Sequence, residues 1–134
     1  MDDDAPLFVY GTLLFPEILR ALIGRVPHST GAQAAGWRAA ALRGRRYPGL
    51  VPGTALARGR LISGLSDAER RIIHEFEDGG YELRDLTITD GRRAAAYVWT
   101  GGDVLPADWD AAAFAATDLA RYVECLTGSR PGAL

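Results

Sequence analysis

The sequence contains no lysine; all 15 of its basic residues are arginine. Walker-type phosphate loops, Schiff-base and pyridoxal-phosphate enzymes and Ser-Lys hydrolases each depend on a lysine amine, so all of them are excluded. A single cysteine, Cys125, cannot form a disulfide within the chain, and two isolated histidines, His28 and His74, cannot furnish a His/Cys zinc cluster. None of the four serines sits in a G-x-S-x-G elbow, which leaves triad hydrolysis without support. There is no dinucleotide-binding glycine fingerprint either, so no cofactor is expected. No apolar run approaches the roughly 18–20 residues of a membrane span. The start Met1-Asp2-Asp3-Asp4 is acidic, opposite to the charge that opens a secretory signal. With 17 acidic residues and a net charge of -2, there is no basic field to recruit nucleic acid or an anionic membrane. These absences predict a soluble cytoplasmic protein without a nucleic-acid or membrane partner.

What is present is ordinary globular material: 134 residues, 48% hydrophobic and 24% charged, enough for one domain with a core over about residues 7–127. Leu7 to Tyr10, closed by Gly11, reads as a buried strand. Pro16 opens a short amphipathic helix carrying Ile18, Leu19, Leu22 and Ile23, and Gly24 ends it. Thr30 to Leu42 reads as a bent or bulged strand, Arg43 to Gly53 as a loop, and Ala55 to Leu65 as a second strand. Ser66-Asp67-Ala68-Glu69 is a capping box for a helix with Ala68, Ile72 and Phe76 on its apolar stripe. Tyr81 to Thr89 and Arg93 to Thr100 form a hairpin around a two-residue Asp90-Gly91 turn. A final helix from Asp110 to Leu126, with Ala115, Leu119, Tyr122, Val123 and Leu126 on one face, stops at Gly128 and Pro131.

Two places carry chemistry. Tyr10-Gly11-Thr12-Leu13 joins a strand to a helix start, where several amides point one way and can hold a carboxylate or phosphate. Glu75-Phe76-Glu77-Asp78 puts three carboxylates at the negative end of a helix dipole, an arrangement that costs stability and therefore points to function. With Phe76 turned to the core, Glu77 would sit at a cavity edge, where lost water raises its proton affinity. Arg43, Arg45 and Arg46 read as a solvated face, His74 as a surface or packing residue, and Cys125 as a small hydrophobe.

In this order the segments resemble the gamma-glutamylcyclotransferase-like family. Leu7-Phe8-Val9-Tyr10-Gly11-Thr12-Leu13 is similar to its opening strand and YG(S/T)L substrate loop. Ile73-His74-Glu75-Phe76-Glu77-Asp78-Gly79-Gly80-Tyr81-Glu82-Leu83-Arg84 is similar to its L-D-x-F-E-G-x-x-Y-x-R-R segment. Tyr47 to Pro52 resembles a Y-P-x-L-V loop, and Gly59 to Ile62 a G-x-(L/V)-(Y/I) strand. The resemblance implies an α+β fold, a small, mainly antiparallel β-barrel with flanking helices and a cavity at one end. It implies cyclisation of a γ-glutamyl compound to 5-oxoproline without a cofactor. Glu77 would be the general acid/base, Tyr10, Gly11, Thr12 and Leu13 the substrate loop, and Tyr81 an aromatic near the site. Two positions depart from the family: His74 stands in place of Asp, and Asp78 in place of Gly, adding a negative charge beside Glu77.

Overall fold

The computed structural model describes residues 5–77 and 79–127; Met1 to Asp4, Asp78 and the expected helix stops Gly128 and Pro131 lie outside them. The apolar run at the start forms β1 (Leu7–Val9). Strand alternation sends Leu7 and Val9 to one face, while Phe8 and, just past the strand, Tyr10 face the other. On one side of β1 runs β3 (Gly49–Ile62), antiparallel, with Phe8 opposite Leu61; on the other runs β5 (Arg93–Trp99), parallel, with Leu7 opposite Ala95. Together with β2 (Ser29–Leu42), β4 (Tyr81–Thr87) and β6 (Val104–Asp108) they make a six-stranded sheet in the order β4-β5-β1-β3-β2-β6, curled into a half-barrel.

One edge of the long β3 runs along β2, and its other edge meets two partners. Its end, Arg60 to Ile62, lies along β1, and near its start Leu50 pairs with Val98 of β5. Between these contacts β1 has already ended, and the Tyr10 hydroxyl fills the gap: it donates to the Tyr97 carbonyl at 2.5 Å and accepts from the Leu50 amide at 3.3 Å. A side chain thus replaces one rung of the ladder. Inside the curl, Phe8, Leu50 and Leu61 pack against Ala34, Ala57, Ala94 and Ala96, small residues that let the sheet close tightly.

Helices cover the other face. Pro16 starts α1 (Pro16–Ile23) and Gly24, at φ +78°, ends it, as expected. The capping box opens α2 (Asp67–Phe76) as expected, but its stripe is rotated: Ile73 is buried, whereas Ile72 is 41% exposed and Ala68 is exposed. Docking, with Ile73, Leu65 and Phe76 against Val9 and Ile18, decides which side turns inward. The expected single C-terminal helix is two, α3 (Ala111–Thr117) and α4 (Leu119–Thr127), broken at Asp118. Asp118 is buried there, its carboxylate taken by Arg46 at 2.6 Å and by the Thr117 hydroxyl at 2.9 Å. The inward residue of α3 is Phe114, set between the rings of Phe15 and Tyr122, and Ala115 is exposed.

Three further expectations are corrected. Residues 49–53 belong to β3 and not to a loop; Pro52 is tolerated opposite Trp37, where a bulge with Gly36 at φ +84° already interrupts the ladder. The β4–β5 connection is a three-residue turn, Thr89-Asp90-Gly91, closed by an Ile88 amide to Arg92 carbonyl bond of 2.9 Å. Strand β6 was not expected from the sequence at all: it is a short edge strand containing Pro106, paired only to β2.

Candidate active site

Where β1 ends, the chain turns through a 3-10 helix at Thr12–Leu14. This turn uses the amides of Leu14 and Phe15, which bond to the carbonyls of Gly11 and Thr12 at 2.9 and 3.2 Å. The amides of Gly11, Thr12 and Leu13 precede its first bond, which is what an anion-holding turn requires. A Cβ on Gly11 would stand 2.7 Å from Cγ of Pro48, so glycine is needed there for packing.

From the opposite side comes the end of α2. Glu77 is its cap residue, with its amide bonded to the Ile73 carbonyl at 3.2 Å and its backbone already extended at φ -71° and ψ 141°. That departure from the helix is how the chain aims the Glu77 side chain into a cleft lined also by Tyr10, Gly11, Thr12, Leu13, Pro48, Tyr81 and Tyr97. The cleft holds about 20 Å³. All six residues singled out from the sequence, Tyr10, Gly11, Thr12, Leu13, Glu77 and Tyr81, therefore meet around one space. Glu75, the neighbouring candidate, is exposed and does not line it.

Electrostatics mark the same place. Burial first, and then the Glu77 charge, push the Tyr10 phenol far above the usual tyrosine range. The same two causes, partly offset by Arg70, push Tyr97 up to about 12. Both phenols keep their protons at neutral pH and serve as hydrogen-bond groups. The Tyr81 hydroxyl donates to the Pro48 carbonyl, and its ring stands edge-on to Trp99 at 5.1 Å and to Tyr97 at 6.4 Å.

Trp99 anchors this wall. A Cβ added at Gly49, Gly80 or Gly101 would come within 2.6, 2.6 and 2.7 Å of its side chain, and the Arg45 guanidinium lies 4.9 Å from the ring centre. Two members of the basic cluster are paired and not simply solvated: Arg45 covers Trp99 and pairs with Asp103 at 3.6 Å, and Arg46 holds Asp118.

A family model described as gamma-glutamyl cyclotransferase, AIG2-like, matches residues 7–111. The chain belongs to this family. Among relatives in Arabidopsis thaliana, AIG2-like protein C is 36% identical over 112 residues, and AIG2-like protein D 30% over 104. These alignments take in 78% and 72% of the chain, and the chain spans about two thirds of the relatives' own length, 65% and 68%. A solution structure of an Arabidopsis thaliana protein superposes with a TM-score of 0.69 at 24% identity, covering 92% of this chain and 80% of that one. The crystal structure of an uncharacterized Pyrococcus horikoshii protein gives 0.59 at 18% identity, covering 81% and 86%. These structural likenesses establish the fold: the α+β class, mainly antiparallel sheet and flanking helices are as the resemblance implied, and the expected barrel is a half-barrel, a six-stranded sheet that curls.

Four residues of the cleft in this gamma-glutamyl cyclotransferase-like chain were not singled out from the sequence: Phe8 and Val9 of β1, Pro48 and Tyr97. Pro48 lay within the Tyr47 to Pro52 segment, but only the structure shows its ring against Gly11. Tyr97 was an unremarked strand residue; its signal was a lone tyrosine among the alanines of β5. His74, expected to be a surface or packing residue, is exposed on α2 and places Nδ1 3.0 Å from the Tyr97 hydroxyl. Cys125 is half-buried on α4. No helix of the described residues is long and apolar enough to cross a membrane.

Proposed function

We propose that this chain is a cyclotransferase that converts a γ-glutamyl amine, amino acid or peptide to 5-oxoproline and the free amine, with Glu77 as general acid/base. The supporting observation is the meeting of Glu77 with the Tyr10 to Leu13 turn across one cleft, in a chain of this family. In the reaction the substrate's α-amine nitrogen attacks its own γ-carbonyl carbon. The new C–N bond closes a five-membered lactam, the bond to the leaving nitrogen breaks, and the proton lost by the α-amine passes through Glu77 to that nitrogen. No oxidant and no second reactant are required. Because nucleophile and electrophile belong to one molecule, the protein's task is to hold the curled conformer and move one proton. The amides of Gly11, Thr12 and Leu13 would receive the glutamyl end, Tyr10 would fix the turn that carries them, and Tyr81 would wall the site.

Asp78, which adds a negative charge beside Glu77 in the sequence where the family has Gly, favours a second reading, a binding domain without turnover. Assay of 5-oxoproline release from a panel of γ-glutamyl amines, amino acids and peptides separates the two. Release from at least one compound, with Glu77→Gln lowering turnover by about two to four decades and leaving KM nearly unchanged, is the expected result. Equal turnover by Glu77→Gln overturns the assignment, and binding without product from any compound supports the silent domain.

A further inference from the structure

Tyr97 is the cleft-lining side chain that the reaction scheme leaves without a role. Its ring belongs to the face of β5 covered by the helices, and its hydroxyl meets His74 of α2 at 3.0 Å. His74 lies one helical turn before Glu77, so both residues come from the same end of α2 and approach Tyr97 from the same side. Among the described residues, Arg70 and Glu77 bear on this phenol by charge, His74 by hydrogen bond and ring contact, and Tyr81 of β4 by its edge-on ring. Arg70 itself is tied to the Ala5 carbonyl at 2.6 Å, and its Nε is buried without a hydrogen-bond partner among the described residues.

A phenol has one hydrogen to donate and lone pairs to accept with. Once Nδ1 of His74 occupies one of these positions, the remaining ones are set in direction, and Tyr97 meets the cleft beside Glu77 in a fixed orientation. We infer that His74 is a positioning residue for the reaction at Glu77: it holds the Tyr97 hydroxyl so that this group hydrogen-bonds within the cleft, to the Glu77 carboxyl or to the substrate amine. This rests on the cyclotransferase reading above. It gives a role to a histidine that stands on an exposed helix face, where packing alone places no demand on its chemistry.

The test uses the γ-glutamyl compound that the wild-type protein turns over fastest, with kcat and KM measured for His74→Ala, His74→Asn, Tyr97→Phe and the double variant His74→Ala/Tyr97→Phe. Circular dichroism and thermal melts establish that each is folded. His74→Ala and Tyr97→Phe should each lower kcat by about tenfold, with KM within about twofold of wild type. His74→Asn, whose amide can replace the Nδ1 contact, should recover most of the loss. The double variant should be no worse than Tyr97→Phe alone, because one residue acts through the other. A His74→Ala protein that keeps wild-type kcat, a double variant whose losses multiply, or failure of Asn to rescue overturns the inference while the cyclotransferase reading stands. A wild-type protein that releases no 5-oxoproline from any compound overturns both.

Discussion

At the amino end of α2, Ser66 and Glu69 exchange backbone and side-chain hydrogen bonds of 3.0 and 3.1 Å, and Glu69 also grips Arg25 through two contacts of 2.7 Å. Bonding to Arg25, then to the Ser66 amide, holds the Glu69 carboxyl down at about 2. At the carboxyl end of the same ten-residue helix, Glu75 and Glu77 add negative charge where the helix dipole is already negative. One glutamate is placed by rules that favour the folded state; the other is placed against them, and it is the one that reaches the cleft. A single short helix thus divides its labour, anchoring at one end and presenting the proposed acid/base at the other.

That contrast can be broken experimentally, and the largest effect on stability should come from the carboxyl side. Gly80→Ala puts a methyl 2.6 Å from Trp99 just beyond Glu77. It should cost about 1–3 kcal/mol in a denaturant melt, through overpacking, and lower turnover as the aromatic wall shifts; unchanged stability would mean that Trp99 relaxes freely. Glu69→Gln should have a smaller effect and none on kcat. Glutamine can still complete the capping box, so the variant removes only the charge facing Arg25. Since the folded carboxyl titrates near 2 instead of its usual 4.5, the stabilisation is complete above about 4.5 and disappears as pH falls from there toward 2. Melting curves of wild type and Glu69→Gln should therefore differ at neutral pH and converge in acid. The smallest effect belongs to Glu75→Gln, which should raise stability by about a few tenths of a kcal/mol and leave activity unchanged. A drop in activity as large as that of Glu77→Gln would erase the distinction between the two acids.

Features governed by near neighbours were legible in the sequence. The capping box, the Gly24 stop, the β1 run and the meeting of Glu77 with the Tyr10 to Leu13 turn each follow from a short segment or from a family pattern. What stayed hidden depends on partners distant along the chain. Gly49, Gly80 and Gly101 surround Trp99, yet no local rule connects three glycines that far apart. Whether Ile72 or Ile73 turns inward depends on the surface under α2, and the break at Asp118 on an arginine from the β2–β3 loop. Strand β6 contains Pro106, which a central strand would not accept; an edge strand leaves one side free of the ladder, and β6 uses that freedom.

The bridge from the Tyr10 hydroxyl to the Tyr97 carbonyl joins residues 87 positions apart. Its consequence is kinetic. The proposed substrate turn follows β1, and β1 is held by β3 on one side and by β5 on the other, so the turn cannot be locked until β5 has docked. Closing so long a loop is slow compared with forming α1 or α2, which are built from local contacts. Helices and the β2–β3 hairpin should therefore gain hydrogen-exchange protection early in refolding, and the Leu14 and Phe15 amides of the turn late. The capacity to bind a ligand would then arrive as one of the last events of folding, together with the parallel pairing of β1 and β5.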